Sequence, residues 1–294
     1  MDDLRGKVAF ITGGASGIGL AMAEAFGHEG MSVMLADIEA AALTKAVEEL
    51  RTKQVRAEGV VADVTSRASL RTAALETIAK FGKVHVVCNN AGVGGGGAFG
   101  QVPERDWDWV VDVNLMGVVY GMEVFEPLIA SHGEGGHFVN TASMAGMLSA
   151  PGMEPYSATK YAVVGMSEGW QAQLAPLNIG VSVLCPGFVQ TRIHESRRNR
   201  PDAYGADTAR SEPGMEEMVA AAVAAGIPAG LVAARVVEAI KDNDLYIFTH
   251  PEFKEVTNAR FQRILAAFDK SASSKALSVL PKRDTPTPSL GLEG

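Results

Sequence analysis

The chain has 294 residues, with 26 Lys plus Arg against 34 Asp plus Glu, which gives a net charge of −8 at pH 7. This negative charge would repel phosphate backbones, so we expect no nucleic-acid partner. Hydrophobic residues make up 47% of the chain and charged residues 20%, which supplies a full core and excludes a disordered protein. Only two cysteines occur, Cys88 and Cys185, so a disulfide scaffold is excluded and a reducing, cytoplasmic location is expected.

Short β-branched runs alternate with longer stretches of helical periodicity along the chain. Seven runs bounded by Gly, Pro, Asn or Asp are predicted as strands: 8–12, 32–37, 57–62, 84–89, 137–142, 181–185 and 245–249. Apolar residues at helical spacing predict helices over 18–28, 40–52, 66–81, 104–131 and 156–174. The alternation predicts an α/β fold, a doubly wound, seven-stranded parallel sheet of Rossmann type with helices on both faces.

Two segments depart from the alternation within one predicted domain, residues 1–270. Residues 189–228 are long and rich in Arg, Pro and Ala, and such a segment inside a compact domain is usually functional, here a substrate lid. Residues 271–294 are polar and Pro-rich and are predicted to be a flexible tail. The longest uncharged apolar stretch, 218–234, is interrupted by two glycines and a proline, and the N-terminus lacks the pattern of a signal peptide, so we expect no membrane association.

The first predicted strand runs directly into TGGASGIG, residues 12–19, and then into a helix. Gly13 permits a tight exit from the strand, Gly17 lets the backbone approach a pyrophosphate, and Gly19 allows close packing of the helix on the sheet. The pyrophosphate would then lie at the helix N-terminus. A glycine-rich turn between a strand and a helix therefore predicts a dinucleotide site.

The second predicted strand ends at Asp37, 18 residues after Gly19. A carboxylate at this position accepts hydrogen bonds from both hydroxyls of the adenosine ribose and repels a 2′-phosphate, which favours NAD over NADP. Ser16 and Ile38, the residues that could compensate with a positive charge, are neutral. The alternative for Asp37 is an N-cap of the next helix.

Further polar residues follow the third, fourth and fifth predicted strands. Asp63 and Val64 could bound an adenine, and the sequence NNAG at 89–92 follows the fourth strand. Ser143 follows the fifth, and 13 residues later YSATK places Tyr156 and Lys160 one helical turn apart if Pro155 opens the helix. An ammonium beside the phenol would lower its pKa towards working pH, while burial would oppose that shift.

Together these motifs resemble a short-chain dehydrogenase/reductase of the shorter, NAD-preferring branch. TGGASGIG, Asp37, NNAG, Asn114, Ser143, YSATK and the pair Pro186–Gly187 follow the family's order and spacing over about residues 4–249.

The resemblance implies a Ser-Tyr-Lys site. Tyr156 would be the general acid/base, Lys160 would hold the nicotinamide ribose, Ser143 would donate to the substrate oxygen, and Asn114 would support a water that links Lys160 to solvent. Residues 186–191 would close over the nicotinamide, and the family associates as homodimers or homotetramers. The predicted cofactor-binding set is Gly13, Ser16, Gly17, Ile18, Gly19, Asp37, Asp63, Val64, Asn90, Ala91, Gly92, Tyr156, Lys160, Pro186, Gly187, Val189 and Thr191, and no metal site is predicted.

Simpler structural roles remain open for several of these residues. Ser143 could cap a turn, and Asn114 could satisfy backbone groups in a kinked helix. The lid arginines, Arg192, Arg197, Arg198 and Arg200, could bind an acidic group, although a solvated charged face is more common.

The expected substrate is a small, hydrophobic or aromatic, secondary alcohol or ketone. Gly94 to Gly97 form a run of four glycines that implies room in the cleft, and apolar residues lie near its mouth: Met144, Met147, Leu148, Met153 and Phe188. These apolar residues could equally belong to the core or an interface. Two other functions remain open, a dinucleotide-binding sensor or scaffold without catalysis, and a nucleotide-sugar epimerase or dehydratase.

Overall fold

The computed structural model describes residues 1, 3–205 and 214–278. Its centre is a parallel sheet whose strands run in the order β3-β2-β1-β4-β5-β6-β7. The strands are β1 (Val8–Thr12), β2 (Ser32–Asp37), β3 (Ala57–Val61), β4 (Val86–Asn89), β5 (Gly136–Thr141), β6 (Ile179–Cys185) and β7 (Tyr246–Phe248). The predicted seven-stranded, doubly wound sheet is confirmed, with ends that differ by one or two residues in five strands.

Helices cover both faces of the sheet. They are α1 (Gly17–His28), α2 (Ala40–Thr52), α3 (Arg67–Phe81), α4 (Glu104–Val111), α5 (Gly117–His132), α6 (Glu154–Leu174), α7 (Met215–Ala224) and α8 (Ala229–Asp242). Helix α1 packs against α8 on one face, while α3 packs against α5 and α4 against α6 on the other. Since α6 begins at Glu154, Pro155 occupies its second position and not the predicted first.

The central strands are buried on both faces, as their continuous apolar sequences predict. In β1, Ala9 and Ile11 belong to the core shared with α1 and α8. The residue between them, Phe10, packs against Phe125 of α5 with ring centroids 4.3 Å apart and the ring planes tilted by 35°. Cys88 and Cys185 are buried free thiols, and Cys88 belongs to this core.

The helix predicted over 104–131 is interrupted by a π-helical turn, Asp112–Met116, between α4 and α5. By length and hydropathy the whole stretch, Glu104–His132, could cross a membrane, and 44% of its most apolar window is buried inside the protein. Core helices pass the same test, and Phe125 and Ile129 of this stretch are fully buried here.

The predicted lid contains short 3-10 helices at Ile193–Asn199 and Asp202–Tyr204 before α7, and its residues 206–213 lie outside the described residues. Two compact units are present, Met1–Thr249 with the sheet and a second that begins at His250. The second contains a 3-10 turn, Pro251–Phe253, and helix α9 (Lys254–Ala272). The predicted domain end at residue 270 and the tail at 271–294 stay predictions, and residues 279–294 of that tail lie outside the described residues.

Candidate active site

The predicted site residues follow the carboxyl ends of the parallel strands. The strand order reverses at β1. Strands β2 and β3 are added on one side of β1, and β4, the next strand in sequence, is hydrogen-bonded to β1 on its other side. In open α/β sheets the crevice at such a switch point binds the ligand. The glycine-rich turn follows β1 and NNAG follows β4, so both lie at this crevice.

The glycine-rich turn is built by close backbone contacts. Gly13 has φ of +62°, and a Cβ on Gly19 would lie 2.2 Å from the Gly13 oxygen, so neither position accepts a side chain. Asn90 braces the turn because its Nδ2 donates to the Thr12 oxygen at 3.0 Å and lies 3.4 Å from the Gly13 oxygen.

Thr12 is a contributor that the sequence analysis did not select. Its buried hydroxyl accepts from the backbone N–H groups of Asn90 at 2.9 Å and Ala91 at 3.0 Å. It thereby fastens the end of β1 to the NNAG segment. Its position as the last residue of β1 and the first of the glycine motif was the available signal.

The start of α1 fits an anion. Among the described residues no side chain caps this helix, because Ser16 makes no cap hydrogen bond, and its first turn has no acidic residue. Gly17 faces Thr191 of the lid, whose Cγ2 would lie 3.0 Å from an added Cβ. The amide groups of the first turn and the positive end of the helix therefore face a narrow crevice, as a pyrophosphate requires.

Asp37 ends β2 beside this turn. Its Oδ2 accepts from the Ala15 N–H at 2.9 Å and its Oδ1 from the Glu39 N–H at 3.0 Å. A carboxylate has about four acceptor positions, so both oxygens retain capacity for ribose hydroxyls. Asp37 thus orders the glycine-rich turn and the residues just before α2. The alternative role as N-cap was wrong, because the N-cap of α2 is Glu39, without a side-chain cap hydrogen bond.

Asp63 and Val64 follow β3. Asp63 Oδ1 accepts from the backbone and the hydroxyl of Thr65, at 2.9 and 2.8 Å. Val64 packs against Gly117 of α5, where an added Cβ would lie 3.0 Å from Val64 Cγ2.

Ser143, Tyr156 and Lys160 come together beyond the end of β5. The Ser143 Oγ accepts from the Ala145 N–H at 3.1 Å and lies 3.5 Å from the Pro186 oxygen, so it does cap the short turn after β5. Lys160 is 3% exposed, and its Nζ donates to the Thr141 oxygen at 2.9 Å. The same Nζ lies 5.4 Å from the centre of the Tyr156 ring.

The protein surroundings shift the two pKa values of this pair. Burial raises the pKa of Tyr156 above its usual value of 10.0, and hydrogen bonding with the Ser143 hydroxyl opposes that rise. Burial lowers the pKa of Lys160 to about 8. The expected lowering of the phenol pKa is therefore not produced by the described residues, since the desolvation of the phenolate outweighs the hydrogen bond.

Asn114 lies in the π-helical turn and clamps the segment after NNAG. Its Oδ1 accepts from the Val93 N–H at 2.8 Å and its Nδ2 donates to the Val93 oxygen at 2.9 Å. A Cβ on Gly92 would lie 3.3 Å from Asn114 Oδ1 and 3.6 Å from Lys160 Nζ. The clamp thus satisfies backbone groups of the loop after β4, and not those of the kinked helix that the alternative role named, and it lies beside the lysine.

The segment after β6 lies against the turn that holds Ser143. The Pro186 oxygen accepts from the Met144 N–H at 2.8 Å. Val189 is buried and forms a bridge with Ile227, which fixes the base of the lid. Gly187 lies between these two anchors, and Thr191 reaches the glycine-rich turn.

One of the lid arginines, Arg200, does not belong to the solvated face that the sequence favoured, whereas Arg192 is half exposed. The Arg200 side chain is 5% exposed, and its Nη1 lies 2.7 Å from Oδ1 of Asp106, itself 8% exposed. The Arg200 guanidinium also lies 5.4 Å from the ring centre of Trp109. This anchor on α4 was hidden from sequence reasoning because its partners are more than 90 residues apart.

The glycine run after NNAG leaves less room than predicted. A Cβ on Gly95 would lie 2.4 Å from Val110 Cγ2, and one on Gly96 would lie 2.2 Å from the Gly152 oxygen. These glycines permit close packing and do not enlarge the cleft. Among the apolar residues proposed for the mouth, Met144 and Met147 belong to the core, whereas Met153 is 38% and Phe188 49% exposed.

A group with metal-ligand spacing lies at the amino ends of the central strands β1 and β4. His85, His132 and Glu134 have ligand atoms within 4.8 Å of one another. However, His85 Nδ1 accepts from the Val8 N–H at 3.1 Å, and Lys7 and Lys83 both pair with Glu134. These bonds explain the cluster without a cation.

Comparison with known proteins agrees with this geometry. The profile of the short chain dehydrogenase family matches residues 7–202. The chain belongs to this family of oxidoreductases. A short-chain dehydrogenase/reductase from Burkholderia phymatum, solved in complex with NAD, superposes with a TM-score of 0.88 and 40% identity, covering 91% of this chain and 97% of that one.

Two other dehydrogenases are also similar to the chain over most of their length. A CLA biosynthesis dehydrogenase/reductase of Lactiplantibacillus plantarum is 36% identical over 272 residues, 90% of this chain and 95% of the relative. The C alpha-dehydrogenase of Sphingobium sp. strain SYK-6 is 36% identical over 269 residues, 90% of this chain and 87% of the relative.

Proposed function

We propose that this member of the family is an NAD-dependent oxidoreductase that transfers a hydride between the nicotinamide and a secondary alcohol or ketone. The observation that carries the proposal is the convergence of Ser143, Tyr156 and Lys160 at the end of β5. A hydroxyl, a phenol and a buried ammonium there face the crevice where family members bind a dinucleotide. A sensor without catalysis would need the lysine for the ribose, but it would have no need of a phenol and a serine hydroxyl beside it.

Each residue has one task in this proposal. Tyr156 takes the alcohol proton in oxidation and returns it in reduction, as a general acid/base. Ser143 donates to the substrate oxygen while negative charge develops there. Lys160 holds the ribose hydroxyls beside the nicotinamide, and Asn114 keeps Val93 and Gly92 against it. When bound, the oxidised nicotinamide supplies a hydride acceptor and a positive charge near the phenol.

The proposed protonation states follow from burial. Lys160, with a pKa of about 8, carries its charge at neutral pH and favours the phenolate. Burial holds the phenol of Tyr156 protonated in the protein alone. Two positive charges beside the phenol would overcome that burial, so the base would form only in the assembled site.

We propose NAD and not NADP because a carboxylate lies at the ribose position. Asp37 has free acceptor capacity on both carboxylate oxygens, as described above. A 2′-phosphate would meet this charge at close range, whereas ribose hydroxyls would donate to Asp37.

The proposed substrate is hydrophobic. Met153 and Phe188 present exposed apolar surface, one just before α6, which carries Tyr156, and the other after β6. The similarity of the chain to two dehydrogenases supports oxidation or reduction of the substrate.

A spectroscopic screen tests this function. Purified protein is mixed with NAD and a panel of alicyclic, aryl and carboxylated secondary alcohols, and NADH formation is followed by absorbance. Turnover of apolar alcohols with little turnover of carboxylated ones is the expected result. Binding of NADH without turnover of any alcohol or ketone would favour the sensor, and interconversion of a nucleotide sugar without net NADH would favour the epimerase.

A further inference from the structure

An ion pair joins the lid to the turn that carries Asp37. Glu39 Oε1 accepts from Arg198 Nη2 at 2.8 Å and from Asn199 Nδ2 at 2.9 Å. Both donors belong to the 3-10 helix of the lid, about 160 residues further along the chain. The backbone N–H of Glu39 itself donates to Asp37. The lid is therefore fastened to the residue that the proposed function assigns to the adenosine ribose.

The charge state of this contact is well defined. Burial alone would raise the pKa of Glu39, but hydrogen bonds from Arg198 and Asn199 outweigh it, and the pKa is lowered. Glu39 is thus ionised at neutral pH, and the contact is a charge-assisted hydrogen bond and not a neutral one. The neighbouring Arg192 has its own partner, Glu195, at 2.8 Å.

The other contacts of the lid lie across the cleft. Ser196 Oγ accepts from the Gly94 N–H at 2.9 Å, and the Tyr204 hydroxyl donates to Asp112 at 2.8 Å. Together with the buried ion pair of Arg200 and Asp106, these two hydrogen bonds fix the lid to the segment after NNAG and to the helical stretch that contains α4. On the other side, Thr191 contacts Gly17 and Arg198 contacts Glu39. The lid thus spans the crevice in which the proposed dinucleotide lies.

The two ends of this span differ in how readily they separate. Arg200 and Asp106 are almost completely buried, so separating them would expose two unpaired charges to a low-dielectric interior. Arg198 and Glu39 keep 26% and 28% of their side-chain surface exposed, so water can solvate both as they part. The lid would therefore open at the Glu39 side.

We propose that Glu39 is a positioning residue that fastens the lid over the adenosine side of the bound dinucleotide through Arg198 and Asn199. This inference rests on the proposed function. The pair does not touch the reacting atoms, so it sets how long the dinucleotide stays bound and leaves the hydride step unchanged.

The test is a stopped-flow measurement of NADH release, in which excess NAD displaces fluorescent NADH from the full-length protein. Glu39→Gln and Arg198→Gln are each expected to release NADH three- to tenfold faster than the wild type. This is the effect expected from the loss of one partly exposed, charge-assisted hydrogen bond. The double variant is expected to match the single ones, because the pair acts as a unit. Salt should accelerate release from the wild type and should have little effect on Glu39→Gln.

Controls separate this role from a general structural one. Glu195→Gln removes the neighbouring exposed pair in the same 3-10 helix and is expected to leave release unchanged. The rate of a single turnover from preformed complex should be the same in Glu39→Gln and wild type, while the KM for NAD rises.

Two results would overturn the inference. The first is a folded Glu39→Gln protein that releases NADH at the wild-type rate and with the wild-type salt dependence. The second is a double variant in which the effects of the two substitutions multiply. Either result would show that the pair does not fasten the lid. Failure of the wild type to bind NADH would instead overturn the proposed function, and this inference with it.

Discussion

Replacement of Lys160 by methionine is expected to stabilise the protein while removing its activity. The lysine is 3% exposed, and its pKa is lowered from 10.5 to about 8 by burial. A pKa lowered by this amount means that keeping the lysine charged in the folded state at neutral pH costs about 3 kcal/mol. Methionine is of similar length and brings no charge into the core.

The net gain is smaller because one hydrogen bond is lost. Lys160 donates to the Thr141 oxygen at 2.9 Å, and an unpaired carbonyl there would cost about 1–2 kcal/mol. The expected gain in unfolding free energy is therefore about 1–2 kcal/mol, or a rise in Tm of about 2–3 °C. Activity should fall by at least about 100-fold, since the phenol loses the ammonium beside it.

The sign of the pH dependence makes this prediction specific. Between pH 8 and 10.5 the unfolded chain keeps the lysine proton while the folded chain releases it, so wild-type stability relative to the variant increases over that range. The advantage of Lys160→Met should be full at pH 7 and should shrink towards pH 10.

Thermal unfolding followed by circular dichroism without cofactor measures the difference in Tm. Lys45→Met is the matched control, because Lys45 is exposed on α2 and its replacement should change stability by less than about 0.5 kcal/mol. A Tm of Lys160→Met several degrees below wild type at pH 7, or a difference that does not change with pH, would refute the reasoning from a buried charge.

Three further predictions follow from individual contacts. The wild type should prefer NADH over NADPH by at least about tenfold in kcat/KM, and Asp37→Ser should reduce this preference, because the ribose loses its acceptor. Equal use of both cofactors by the wild type would contradict this. The Kd of NADH, measured by fluorescence titration, should rise as pH increases through about 8, because Lys160 then loses its charge, and a flat profile to pH 9.5 would argue against that role. Asp106→Asn should lower the free energy of unfolding in urea by about 3–5 kcal/mol, since it leaves Arg200 buried without its counter-charge, and a loss below about 1 kcal/mol would show that water solvates the pair.

The sequence predicts the sheet well because its signals are local. Each strand is a short β-branched run next to a turn residue, and the continuous apolar character of VAFIT and VSVLC already indicates burial on both faces. The strand ends differ by one or two residues because hydrogen bonding between neighbouring strands decides them. The glycine-rich turn and the spacing of Tyr156 and Lys160 are local for the same reason.

The features that the sequence misses depend on distant partners. The π-helical turn at Asp112–Met116 accompanies the clamp of Asn114 on Val93, 21 residues earlier. The packing of Gly95 against Val110 cannot be distinguished from an open glycine run by composition. Likewise, Arg200 and Arg198 look like a solvated cluster until Asp106 and Glu39 are placed beside them.

The central claim is that the Tyr156 phenol transfers the proton while hydride passes between nicotinamide and substrate. Single-turnover oxidation of an alcohol by Tyr156→Phe, at saturating NAD and compared with wild type, tests it most directly. A rate reduced by about 100- to 10,000-fold, with NADH affinity retained, is the predicted result. A variant that transfers hydride at the wild-type rate would contradict the claim.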